Sequence, residues 1–403
     1  MHIGLCSPHW PPSQANGIVS YVSAIRDHFI ARGHEVSVIS QERLHTSDGA
    51  ILSLAPGRTA RAVARSRDRL SRLRGRPEGS LPDVGRNVAR QIAAAHRLRP
   101  FDVVEMEESF GWSDFAARAI AAPVITRIHG PHFLKPDNDL TERERREGRA
   151  RCEAEARAVR NAAMVTAPTQ AMMSGTCRSY SRDPAARSAV IANPIRLRED
   201  TPRWTFGGAE PGHVLMVGRF DYLKGADTML LAFERLLETQ PGARLTLVGP
   251  DEGMEAGAGR RIGFAEFAAT RLSPRTRQRI EFRGLLSQAE IAPLRMKAMA
   301  TVVSSRCENF PYVLLEAMAA GSPLVSTDWP GAEEIVIDGE SGLLSPIAKP
   351  DRLAVTLDRI LRNGQQAAAM GHAARERCAS EFSLEIVGDK LLDCYRQMLE
   401  IPA

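Results

Sequence analysis

The sequence predicts an α/β fold of two doubly wound domains, and three observations support it. Short apolar runs alternate with helical patterns through the first half of the chain. The alternation stops around Ile191-Ala192-Asn193-Pro194, and proline and polar residues then run through Pro202-Arg203-Trp204 to Gly207-Gly208 and Pro211-Gly212. Beyond that break a second alternating series begins. Strands that alternate with helices imply a parallel sheet covered on both faces. A chain of 403 residues has room for about two or three domains, each with a full core.

In the first half, strands are predicted at His2–Cys6, Val36–Ser40, Asp102–Met106, Val124–Ile128, Met164–Ala167 and Ala189–Ala192. Helical patterns fall at Ile18–Ala31, Val84–Leu98 and the charged stretch Thr141–Asn161. After the break, strands are predicted at His213–Val217, Ala243–Val248, Ile280–Phe282, Thr301–Ser304, Leu324–Thr327 and Gly342–Leu344. The helices between them are Thr228–Glu238, Gln288–Met299, Tyr312–Ala320 and Arg352–Arg362. The last forty residues read as helical, with Ser383 a candidate N-cap. The expected domains are 1–200 and 201–380, with a closing helix over 381–403 returning to the first. The two halves share no sequence repeat.

Composition narrows the function. Apolar residues make up 43% and charged residues 25%, the balance of a globular protein rather than a disordered one. No apolar run approaches the roughly 18 residues of a membrane span. Met1–Cys6 reads as a strand rather than a signal peptide, so a cytoplasmic location is expected. Six scattered cysteines without metal-ligand or redox spacing fit a reducing compartment. A net charge of +5 gives no reason to expect a nucleic-acid partner. Arginines crowd Arg58–Arg76, which allows weak peripheral contact with the inner face of a membrane; the thin apolar face (Val63, Leu70, Leu73) favours a solvated helix instead. Only five lysines occur among 53 basic residues, so Lys224 draws notice as an ammonium kept where guanidinium is the habit.

Two segments carry chemistry. In Val214-Leu215-Met216-Val217-Gly218-Arg219-Phe220-Asp221-Tyr222-Leu223-Lys224-Gly225, an apolar strand ends in glycine and presents two cations before a helix. Loops at the carboxyl ends of strands form the ligand crevice of an open α/β sheet, and a fork plus a point charge suit a diphosphate. Read alone, Arg219 and Lys224 are equally compatible with surface charges. The second segment runs from Ser304 to Gly321, with Pro311 at a helix start and Gly321 at its end. Backbone N–H groups near Asn309–Tyr312, in the first turn of that helix, have no partner within the helix and are expected to face phosphate or sugar oxygens. Glu316 lies amid apolar helix residues and needs donors, either a ribose diol or a core arginine. Glu308, with seven residues between it and Glu316, sits in the loop where a hexose hydroxyl would be read.

These motifs together, G-R-F-D-Y-L-K-G followed by E-N-F-P-Y-V-L-L-E-A-M-A-A-G-S-P-L-V, resemble glycosyltransferase family 4. Further matches are Pro11–Gly17 before a helix, Arg32-Gly33-His34-Glu35-Val36, Ile128-His129-Gly130, Ala167-Pro168-Thr169, Ile191–Pro194, Val248-Gly249 and Gly331–Val336. The resemblance implies the GT-B fold, two facing Rossmann-like domains with a deep interdomain cleft, the first holding the acceptor and the second the nucleotide sugar. It implies that Arg219 and Lys224 bind the donor diphosphate, that Glu316 holds the ribose and that Glu308 reads a sugar hydroxyl. Gly218 and the backbone of Asn309, Phe310 and Pro311 would line the pocket. Arg283 falls where the family contacts the base, His129 where it places a histidine beside the sugar, and Gly17 where the opening loop nears the phosphate. Asn16 replaces the first glycine of the pair that many members carry there.

The implied activity is retaining transfer of a hexosyl group from a nucleotide-diphosphate sugar, a UDP-sugar, to a hydroxyl of a small molecule, glycan or lipid-linked saccharide. Side-chain cations and helix N-termini would take the place of a metal, so no cofactor is expected. Asp137-Asn138-Asp139 reads as a turn and helix cap, not a metal pair. Glu105 and Glu107, at or just past a strand end, are candidate acceptor contacts, and a solvated loop is an equal alternative. A non-catalytic nucleotide-sugar-binding subunit is the competing class, although all four motif side chains are present. A dinucleotide oxidoreductase is disfavoured, because no G-x-G-x-x-G follows the first strand.

Overall fold

Five successive buried residues, His2 to Cys6, can only be the centre of a sheet covered on both faces. In the computed structural model, which describes residues 1–10, 17–55, 81–135, 141–200, 202–256 and 260–400, that run is β1. The predicted opening loop Pro11–Asn16, the arginine-rich Arg58–Arg76 and the Asp137–Asp139 turn lie outside the described residues. The chain divides into two units, Met1–Pro194 with Leu384–Ala403, and Ile195–Ser383.

The first unit is built on β1 (His2–Cys6), β2 (Glu35–Ser40), β3 (Arg43–His45), β4 (Ile51–Ser53), β5 (Val103–Glu107), β6 (Val124–Arg127), β7 (Met164–Ala167) and β8 (Ser188–Val190). Their order in the sheet is β4-β3-β2-β1-β5-β6-β7-β8. All pairs are parallel except β2 with β3 and β3 with β4. The β3–β4 extension was not foreseen. It hangs on a two-residue turn in which Gln41 and Glu42 both take positive φ, 49° and 62°, where a sequence signal would be Asn-Gly.

The strand predicted at Asp102–Met106 is shifted by one residue, to Val103–Glu107, and is buried throughout. Glu105 and Glu107 are therefore inside the strand and 3% and 8% exposed, which removes the solvated-loop alternative. The helix Gln170–Tyr180, also unforeseen, starts at Thr169, whose Oγ1 accepts the Met172 N–H.

The helix Leu384–Glu400 buries Leu384, Val387, Leu391, Leu392 and Tyr395. It packs in the first unit against the helix Gly17–Ala31: Tyr395 stacks edge-on to Phe29 at 5.8 Å, and Asp389 accepts from His28 Nε2 at 2.8 Å. Each such fully buried aliphatic side chain contributes about 1.5–3 kcal/mol, enough to hold the chain's end here.

The second unit carries β9 (His213–Val217), β10 (Arg244–Val248), β11 (Met254–Glu255), β12 (Arg261–Ile262), β13 (Ile280–Phe282), β14 (Ala300–Val303), β15 (Leu324–Thr327) and β16 (Leu343–Ser345). Its main sheet is β13-β10-β9-β14-β15-β16, wholly parallel; β11 and β12 form a separate antiparallel ribbon. One face is covered by the helix Ala226–Thr239, whose Met229, Leu230 and Phe233 are fully buried with Leu353 and Leu357 of the helix Pro350–Arg362. In each main sheet the order of strands reverses once, between β1 and β5 and between β9 and β14. The carboxyl ends at such a switch point are where open α/β sheets bind ligands.

Candidate functional site

In the second unit the switch point joins the two chemical segments. β9 leads into Gly218 and the loop to Lys224, and β14 leads into Ser304–Glu308. Gly225 begins the next helix at φ 63°, where a Cβ would run into the Ser304 carbonyl oxygen. Glycine there lets the two loops touch. Ser304 Oγ donates to the Lys224 carbonyl at 3.0 Å, and the Arg306 N–H to the Leu223 carbonyl at 2.8 Å.

Lys224 Nζ donates to Glu308 Oε1 at 2.6 Å, and Ser305 Oγ reaches the same oxygen at 2.6 Å. The lysine side chain stays 27% exposed while Glu308 is 9% exposed. Arg219 Nε pairs with Asp221 Oδ2 at 2.6 Å, and the other oxygen of Asp221 accepts the Lys224 N–H at 2.7 Å. Both predicted cations are thus held by carboxylates. These pairs present ammonium and guanidinium at an open edge, where a stronger anion can compete for them.

The helix Tyr312–Ala320 starts after Pro311 and ends at Gly321, in the left-handed region at φ 68°. Phe310 turns its ring into the core against Phe382, 5.6 Å between centroids, which leaves its main chain to the loop. Glu316, one helical turn on, accepts from Arg295 Nη2 at 2.7 Å and from Gln288 Nε2 at 2.9 Å. This is the arginine-paired alternative for that residue, yet its side chain keeps 19% exposure. Arg283 stands exposed at the end of β13, two strands from β9, beside Glu281 at 3.1 Å.

Several supporting residues escaped the sequence reading. Arg306 grips Asp227 with two hydrogen bonds of 2.7 Å, donates to the Tyr222 carbonyl, and lies over the Tyr222 ring at 4.0 Å. That bidentate buckle ties the β14 loop to the β9 loop. Gly249, quoted in the sequence only as a family match, makes the crossing from β10 possible, since a Cβ there would strike the Gly218 carbonyl. Asp221, Asp227 and Arg306 all lie within or beside the quoted motifs, but nothing in their spacing marks them as partners.

The remaining two predicted residues belong to the first unit. Gly17 opens the helix Gly17–Ala31 and is exposed. His129 follows β6, partly buried, its ring edge-on to Tyr21 at 4.9 Å. Burial, and then the charge of Arg127, push its imidazole down to about 3, so it is neutral at physiological pH. Around it lie the buried acids of β5 and its following turn. Burial raises Glu105, against the opposing effects of Arg127 and a 2.7 Å bond from the Tyr395 hydroxyl. Burial lifts Glu107 to about 7 and, with the charges of Glu155 and Glu107, lifts Glu108 to about 8.

Known proteins resemble this chain in both of its units. Residues 15–199 match the model of Glycosyltransferase Family 4, and residues 208–377 match Glycosyl transferases group 1. A D-inositol 3-phosphate glycosyltransferase of Nocardioides sp. is 30% identical over 327 residues, covering 77% of this chain and 70% of that protein. A glycogen synthase of Mycobacterium tuberculosis is 32% identical over 214 residues, but the match spans only about half of that relative, 48% of its length. Among solved structures, sucrose-phosphate synthase from Thermosynechococcus elongatus superposes with a TM-score of 0.77 at 22% identity, covering 99% of both chains. HepE of Anabaena in complex with UDP-glucose gives 0.67 at 16% identity, covering 98% of this chain and all of that one. Two doubly wound units with parallel sheets are the GT-B fold, and with both family models matched in sequence, this chain is a member of glycosyltransferase family 4.

Proposed function

We propose that the chain transfers a hexosyl group from a nucleoside-diphosphate sugar, a UDP-sugar, to an acceptor hydroxyl, with retention at the anomeric carbon and without an essential metal. The observation that carries this is the meeting of Lys224 and the Arg219–Asp221 pair with the loop before the helix Tyr312–Ala320, on the carboxyl ends of neighbouring strands β9 and β14. As the bond to the diphosphate breaks, charge grows on the leaving phosphate. Two cations and a helix N-terminus stabilise it most at that moment.

On this reading the diphosphate draws Lys224 from Glu308, and Glu308 turns to a hydroxyl of the sugar. Glu316 exchanges Gln288 or Arg295 for the ribose diol, and Arg283 and Gly218 border the nucleoside and phosphate. The first unit holds the acceptor, with Gly17 and the neutral His129 beside the sugar. UDP is favoured because HepE, which shares the fold, was solved with UDP and with UDP-glucose. A sugar alcohol phosphate is a sensible first acceptor, given the relatives named D-inositol 3-phosphate glycosyltransferase.

The test is turnover of UDP-glucose, with and without EDTA, alone and with D-inositol 3-phosphate. UDP release that survives EDTA and is lost in Lys224→Ala supports the proposal. UDP-glucose that neither binds nor turns over, while a GDP-sugar does, would overturn the choice of donor.

A further inference from the structure

The loop that carries His129 is held by its main chain, and the groups that hold it are two buried carboxylates that no motif marks. Glu108 is fully buried just after β5. Its Oε2 accepts the His129 N–H at 2.7 Å and its Oε1 the Gly130 N–H at 2.8 Å. Glu155, fully buried on the helix Glu142–Asn161, accepts the His132 N–H through Oε2 at 2.7 Å. The same oxygen takes the Tyr180 hydroxyl at 2.5 Å, and Oε1 takes Arg151 Nε at 2.7 Å and the Phe110 N–H at 3.2 Å.

One turn, Ser109–Gly111, brings these acids to the loop. Gly111 takes φ 67° where a Cβ would overlap the Ala154 carbonyl, so the turn after β5 lies directly on the helix that bears Glu155. Phe110, itself at φ 60°, is pinned there by its bond to Glu155 and by Arg151 over its ring at 3.7 Å. A residue held at positive φ without being glycine persists only when its surroundings enforce it. Three of the four N–H positions from 129 to 132 are then fixed by carboxylate oxygens, the fourth residue being Pro131, which has none.

We propose that Glu108 and Glu155 are positioning residues that set the place of His129 through the backbone of its loop. This rests on the reading of His129 as a group beside the transferred sugar, and the experiment separates the two. Hydrogen exchange followed on peptides spanning 128–134 tests the grip without any substrate. In the wild-type chain these amides are expected to exchange slowly, and in Glu108→Gln or Glu155→Gln at least tenfold faster, with peptides of β1 unchanged. Fast exchange in the wild type, or unchanged exchange in both variants, overturns the proposal.

Turnover of UDP-glucose tests the consequence. Glu108→Gln should lower kcat about tenfold or more while KM for UDP-glucose moves less than twofold. Acting through His129, it should add nothing to His129→Ala: the double variant should match the single one. Losses that multiply would show a general structural role and overturn the proposal. A His129→Ala enzyme of full activity would instead remove His129 from the site while leaving the exchange result standing.

Discussion

Both units set charged side chains at the switch point of a parallel sheet, but they treat them in opposite ways. On the first sheet Glu105, Glu107 and Glu108 are 3%, 8% and 0% exposed, and backbone N–H groups, tyrosine hydroxyls and arginines surround them. On the second, Lys224 and Arg219 keep 27% and 46% of their side-chain surface and each leans on one acid. A carboxylate that accepts main-chain amides cannot leave without unmaking the loop, whereas an ammonium on a flexible stem can change partners at little cost. The same topology thus yields a buried, hydrogen-bonded frame in one unit and a part-exposed ion cluster in the other, which on the proposed reading changes partners when the donor binds.

The sharpest way to break this contrast is to remove an exchangeable charge and look for loss of chemistry rather than of fold. Lys224→Ala is expected to reduce turnover of UDP-glucose by about 10²–10³, the scale of losing one preorganised donor to a developing oxyanion. Its melting temperature should change little, because Glu308 keeps Ser305. A variant that melts many degrees lower with kcat intact would place Lys224 in the frame instead.

Next in size come the two glycines at the loop crossings. Gly225 in the second unit and Gly111 in the first sit at φ 63° and 67° with a carbonyl where a Cβ would go. Alanine at either should destabilise by about 2–3 kcal/mol from the strained backbone and the displaced neighbour. The comparison becomes sharper in activity: Gly225→Ala should also weaken UDP binding, measured by calorimetry, whereas Gly111→Ala should leave it alone.

How much of this was legible in the sequence follows the same divide. The second unit's cluster could be located because Gly218, Arg219, Lys224, Glu308 and Glu316 lie in two contiguous segments at strand ends, although read alone the two cations were equally compatible with surface charges and the residue roles came only with the family resemblance. The frame was not, because Glu108 and Glu155 meet across 46 intervening residues and act on backbone, which has no sequence signature. Arg306 lay in plain view within a motif, yet its partner Asp227 is fixed only by the loop crossing at Gly225. The parallel strands were readable from their apolar runs. The β3–β4 extension was not, since its strands are three residues each and β3 is joined to β2 by Gln41-Glu42 instead of a turn dipeptide.

Above pH 6.5 the pH dependence of stability should be of intermediate size and come mainly from the first unit's buried carboxylic acids. Glu107 and Glu108 titrate at about 7 and about 8 when folded, above the ordinary 4.5, so the folded chain binds more protons and their contribution declines as pH rises through about 4.5 to 8. His129 has the opposite sign: held near 3 instead of 6.5, it costs stability as pH falls below 6.5. Between pH 6.5 and 8.5 only the carboxylates act, and a melting temperature that drops by several degrees across that range is expected. Glu107→Gln should reduce the loss of stability across that range by about 1 kcal/mol. A slope that is unchanged would mean that Glu107 is ionised throughout.

The smallest effect on stability, and the most exacting test of the contrast, belongs to Arg219. Its pair with Asp221 is short, 2.6 Å, but nearly half of the arginine side chain is in water. Solvent screening and the freedom of a long side chain leave such pairs about 0–1 kcal/mol. Arg219→Ala should therefore move the unfolding free energy by less than about 0.5 kcal/mol. Asp221→Ala should cost more, because Asp221 also accepts the Lys224 N–H and so shapes the loop. Binding should reverse the ranking of these effects: with a diphosphate present the guanidinium has a doubly charged partner, and Arg219→Ala should weaken UDP about tenfold in low salt. Raising the salt to 1 M, where the Debye length falls to about 3 Å, should shrink that loss to a few-fold. A tenfold loss that persists at 1 M would mean that Arg219 acts by a desolvated, geometrically fixed contact, and that the second unit closes its charges away as thoroughly as the first.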